Sequence, residues 1–242
     1  MKKLFLLICL SAALLFTNSY AQEKKVAVVS FYTVKQIGIT QFGSAAAIAA
    51  VAKLGNDPNF NMAPLLQNFH KQFFNDYSKS FPFQLLPEKE VLENEAYKSF
   101  TPQGSSTTGV LKDNTNLPID GYKVLYDVMG NKDEKGLLAI FNQADGIMKV
   151  YVDFDLVKIG LGGMGVVKVE AFANIVLYNK KGDKVFSVRE SAKSKNVSPL
   201  VGGVPVLTPE KILPMCESAL TELMSDLNKS IPKIVKKADA KL

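Results

Sequence analysis

Asp153 and Asp155 are the pair in this chain best placed, by type and spacing, to do chemistry. In an extended segment a spacing of two puts both carboxylates on one face, where they can exchange protons with a substrate or hold a calcium ion. Lys149 shares that face, and the strands alongside add Lys168, Glu170, Arg189 and Lys193. A solvated surface with cross-strand charge pairs accounts for all of these without catalysis. Tyr151 and Phe172 stand out among the charges, because exposed aromatic rings on a charged sheet face mark a surface that a partner or another part of the chain covers. Tyr151, Asp153, Asp155 and Phe172 are therefore the candidate binding residues, and no catalytic residue is assigned.

Other chemistries find less support. Gly160, Gly162 and Gly165 spell GxGxxG, but a dinucleotide site needs a helix after the glycines, and Val166 to Leu177 alternates as a strand. The segment reads as a glycine hairpin loop. His70 is the sole histidine; it falls near the edge of a helical apolar stripe, where a partly buried structural role is expected, and no Gly-x-Ser-x-Gly elbow accompanies it. Cys216 lies on the apolar stripe of the last helix, which predicts a buried, inert thiol. One His and one such Cys cannot fill a structural zinc shell, so no metal and no cofactor are expected.

The elements that must position these residues follow from periodicity. Val26 to Tyr32 is a nearly continuous apolar run and predicts a central strand covered on both faces. Gly38 to Gly55 is rich in alanine and predicts a small-residue helix. Met62, Leu65, Leu66, Phe69, Phe73 and Tyr77 make an amphipathic helix through residue 80. A short strand at Phe83 to Leu86 and a helix opened by Pro87 and fading near Phe100 come next. Thr101 to Asp120 reads as a long exposed loop fit for recognition. After a helix within Gly136 to Ala144, three long antiparallel strands are expected at Met148 to Leu156, Val167 to Leu177 and Lys184 to Ala192. Thr208 and Pro209 begin the last helix, Pro214 is expected to delay or kink it, and Pro232 to close it.

The N-terminus points to export. Lys2 and Lys3, the apolar run Leu4 to Phe16, and small residues at Ser19 and Ala21 have the layout of a cleavable signal, with the cut before Gln22. The run is about 13 residues, short of the roughly 20 that a membrane span requires. Cys9 sits inside the run rather than at its end, so a lipid anchor fits poorly. Cleavage removes Lys2, Lys3 and Cys9, leaving 27 basic against 23 acidic residues, or +4. With one arginine and no basic cluster around it, nucleic acid is not an expected partner.

The order of features adds a resemblance: the strand Val26-Ala27-Val28-Val29-Ser30-Phe31, an amphipathic helix, Phe83-Gln84-Leu85-Leu86-Pro87 before a Glu-rich helix, long antiparallel strands and a closing helix. The chain resembles envelope α/β domains related to the curli-secretion lipoprotein, the penicillin-binding-protein activator lipoprotein and the N-terminal domain of the Tol-system propeller protein. That resemblance implies a non-enzymatic role in envelope assembly or protein interaction. The resulting expectation is an α+β sandwich spanning residues 22–242, with a mixed sheet, a long antiparallel meander in its C-terminal half and helices mainly on one face. It would be periplasmic or secreted and bind a protein or envelope polymer. A small-ligand binder or hydrolase built on the 101–120 loop and the Asp153/Asp155 face is the alternative.

Overall fold

The chain folds as an α+β protein around an eight-stranded mixed sheet. The structure is a computed structural model that describes residues 23–103, 115–126, 132–160, 165–238 and 241–242. The signal segment with Cys9, residues 104–114 of the long loop, and Gly162 lie outside the described residues.

Strand β1 (Lys25–Val34) is buried along nearly all its length, as its apolar sequence requires. On one side it pairs in parallel with β4 (Gly146–Ile159). Its other side carries the short β2 (Gln84–Leu85), parallel, and β3 (Asn116–Pro118), antiparallel. The long loop expected after Thr101 thus ends in a strand. β5 (Val166–Asn179) pairs with β4 over 14 residues, and β6 (Lys184–Lys193) pairs with β5. These are the three antiparallel strands that the period-two alternation predicts. Gly160 and Gly165 flank the β4–β5 connection at φ 126° and 151°, and a Cβ on Gly165 would stand 2.4 Å from the Ile159 carbonyl oxygen. Their glycine identity serves the hairpin. β7 (Ser198–Val201) and β8 (Val204–Pro205) extend the sheet beyond β5.

One face of the sheet is packed by α2 (Ala63–Asn75) and by α6 (Pro209–Ile234). Phe31, Phe69, Phe73, Val150, Leu220 and Leu223 belong to this core, as does Cys216. That thiol is fully enclosed, and burial pushes it far above the ordinary thiol range. α6 departs from expectation at its end: it runs through Pro232 to Ile234. Proline removes one hydrogen-bond donor, but the Val235 N–H still reaches the Ile231 carbonyl, and buried Leu227, Ile231 and Val235 hold the turn on the core.

The opposite face is covered only in part. Three short helices, α3 (Glu88–Leu92), α4 (Glu95–Ser99) and α5 (Lys132–Ile140), place Val91, Tyr97 and Leu137 over Ala27, Val29 and Ile147. The single helix expected up to Phe100 is split because Asn94 caps α4, its side chain accepting from the Tyr97 N–H at 3.0 Å. A register shift in β1 between Val28 and Ser30 forms a bulge. Its polar groups are taken up from this layer: Tyr97 OH donates to the Val29 carbonyl at 2.8 Å, and Ser30 Oγ donates to the Lys123 carbonyl at 2.8 Å.

Lys149 belongs to this covered region rather than to a solvated surface. It is 1% exposed, and its Nζ lies 2.7 Å from Oε1 of Glu134, itself 4% exposed, on α5. The alternation places Lys149 on the outer face correctly; α5 then buries that end of the face.

Candidate functional site

Past Lys149 the cover of short helices ends, and the outer face opens along β4 through the half-buried Tyr151, Asp153 and Asp155. Across the ladder Asp153 faces Phe172, and Tyr151 faces Asn174, which in turn faces Arg189 on β6. Residues 35–43, following β1, form the near wall. There Gly38 returns to β4: its N–H donates to the Phe154 carbonyl at 2.8 Å, and its carbonyl accepts from the Leu156 N–H at 2.9 Å. α1 (Ala45–Gly55) then starts at Ser44, whose hydroxyl accepts from the Ala47 N–H at 3.2 Å.

Between these parts lies a cleft of about 530 Å³, lined by Val34, Gln36, Ile37, Gly38, Ile39, Ile48, Val51, Ala52, Asp153, Phe154, Asp155, Phe172 and Arg189. Three of the four residues singled out in the sequence, Asp153, Asp155 and Phe172, meet here. Tyr151 does not line the cleft. Its ring stacks on Tyr32 at 5.2 Å with an interplanar angle of 13°, so it is half-buried rather than exposed. Phe172 is likewise half-buried, and the Arg189 guanidinium sits over its ring at 5.1 Å. Cation–ring attraction explains that placement.

The two carboxylates have separate roles. Asp155 accepts from the Thr40 hydroxyl and, at 3.3 Å, from the Thr40 N–H, which fastens the near wall to β4. A Cβ on Gly38 would stand 3.0 Å from Oδ1 of Asp155, so only glycine leaves this tie undisturbed. Asp153 makes no hydrogen bond among the described residues, and its Oδ1 is buried without a partner. Burial pushes its carboxyl up to about 6, against the opposing pull of Arg189. Arg189 itself forms no hydrogen bond or ion pair among the described residues. An apolar cleft thus presents a half-buried carboxylate and an exposed guanidinium that attract each other without a direct ion pair among the described residues, an arrangement suited to orienting a ligand.

His70 sits elsewhere. Its Nε2 is 2.7 Å from Oε1 of Glu88, and the Tyr122 hydroxyl donates to the same oxygen at 2.8 Å. Burial raises the Glu88 carboxyl, but the His70 and Tyr122 hydrogen bonds prevail and hold it below its ordinary value. The ring packs edge-on against Phe31 at 4.8 Å. This group joins α2, α3 and the turn after β3 beside a separate cavity lined by Leu66, His70, Leu117 and Ile119. Among the described residues no group of three or more His, Cys, Asp or Glu side chains converges as a metal shell would.

Sequence reasoning missed the near wall, Ile37 to Ile48, and the part played by Arg189. The available signals were a glycine two residues ahead of Thr40 at the end of the central strand, and the presence of one arginine in a lysine-rich chain.

No family model matches the chain, and no curated protein matches it. Among solved structures it is similar to one described as a neuraminyllactose-binding hemagglutinin homologue from Helicobacter pylori. The likeness covers 91% of this chain and 90% of that one, with a TM-score of 0.36 and 8% identity.

Proposed function

We propose that this protein is exported after loss of residues 1–21 and serves as a non-enzymatic binding domain of the bacterial envelope or its surroundings, with the cleft as its recognition site. The observation that carries this reading is Asp153: a carboxylate with a buried, unpartnered oxygen, facing an apolar cleft. A carboxylate left short of partners costs about 1–3 kcal/mol, and a ligand donor to its accessible side would recover part of it. The resemblance to envelope interaction domains agrees with this role. No helix among the described residues is long and apolar enough to cross a membrane.

A hydrolase reading would need Asp153 and Asp155 to act together on a substrate. Asp155 is engaged by Thr40, and His70 stands at a different cavity, so binding is the simpler use of this geometry. Capture from the protein's own envelope extract, with retained proteins and small molecules both identified, tests the proposal. The wild type should retain a species that Asp153→Asn and Phe172→Ala lose, and the exported form should weigh as a chain beginning at Gln22 without lipid. Equal retention by both variants would remove the cleft as the site, and a diacyl increment would remove the export route.

A further inference from the structure

Resting on that reading, we infer that the cleft takes a zwitterion with an apolar body, a free amino acid or a short peptide, whose ammonium meets Asp153 and whose carboxylate meets Arg189. Both charges line one cleft, and neither has a hydrogen-bonding or ion-pairing partner among the described residues. A ligand with a single charge would satisfy one and leave the other. A neutral apolar ligand would desolvate Asp153, whose one oxygen is already enclosed, and give it no partner.

Their depths differ in a useful way. Asp153 is half-buried with one oxygen enclosed, whereas Arg189 is exposed at the rim. The ammonium end therefore goes in first and the carboxylate stays near solvent, where a planar guanidinium, already held over Phe172, can donate two hydrogen bonds to it. Between them the walls are aliphatic, from Ile37, Ile39, Ile48 and Val51. Ile48 is 52% exposed on α1, a large apolar side chain beside charges with little of the chain over it. Such a wall suits a branched or straight alkyl side chain. The other acidic groups nearby are occupied, Asp155 by Thr40 and Glu170 by the Ser191 hydroxyl at 2.9 Å. Asp153 is the carboxylate left for an ammonium.

Calorimetric titration of the purified protein with leucine, Leu-Leu, N-acetyl-Leu-Leu and Leu-Leu-amide tests the assignment. At least one of the two free zwitterions should bind, and the tighter of them shows whether the source is an amino acid or a peptide. Acetylation should weaken binding about tenfold or more in the wild type, and little in Asp153→Asn. Amidation should do the same in the wild type, and little in Arg189→Gln. Asp153→Asn is nearly isosteric, and an unchanged thermal unfolding profile at pH 4 verifies that it folds. Equal binding of all four probes, or of none while another cleft ligand binds, would overturn the zwitterion and leave the cleft standing. If no ligand of any chemistry depends on Asp153, Phe172 or Arg189, the proposed function falls with it.

Discussion

Asp153 and Asp155 are chemically identical and two residues apart, yet one fastens a wall and the other is left unsatisfied. The difference is testable through stability. Burial raises the folded-state carboxyl of Asp153 to about 6, above the roughly 3.9 of an unfolded chain. Below both values each state is protonated and the group contributes no penalty. As pH rises between them the unfolded chain releases its proton first, and stability is lost until the folded value is passed. Asp153→Asn should therefore stabilise the protein by about 3 kcal/mol at pH 7, with the gap closing toward pH 4. Urea unfolding of both forms from pH 4 to 8 measures this, and a pH-independent gap would contradict it. Much of this pair was legible in the sequence, because a period of two assigns a face. What lies over each part of that face was not, since Thr40 and α5 arrive from distant segments. For the same reason Lys149 reads as solvated when it is buried against Glu134.

At the level of elements, α5 meets the sheet through that buried pair and through Leu137, with Phe141 packed just past its end. Asp133, beside Glu134, accepts from the Gln103 N–H at 3.0 Å and so ties down the chain that enters the long loop. Removing one partner of a buried ion pair strands the other charge. Lys149→Met should cost about 3–5 kcal/mol, and adding Glu134→Leu should return most of it. Chemical denaturation of the single and double variants decides this. Equal destabilisation by both would mean that packing, rather than charge, holds α5. The long elements here were readable because each carries many repeats of one period; the short ones were not. α3 and α4 span five residues each and are separated by a capping side chain, so neither builds a pattern. β2 and β3 exist through pairing with β1.

For the whole molecule, the sheet has one face fully packed and the other packed only at one end, and the cleft occupies the uncovered part. β1 stops at Val34, while β4 runs on to Ile159. The chain after β1 must bulge before Gly38 rejoins β4, and the recess so formed contains Asp153. The architecture was legible from the order of strands and helices. The recess was not, because it arises from a mismatch in strand length. Methyl-resolved NMR of the protein against a small library of apolar amines and zwitterions shows whether this recess is the binding site. Bound compounds should shift Ile37, Ile39, Ile48 and Val51 together and be weakened by Asp153→Asn, while Leu66, Leu117 and Ile119 beside His70 stay unmoved. Shifts confined to Leu66, Leu117 and Ile119, or none at the cleft, would contradict it.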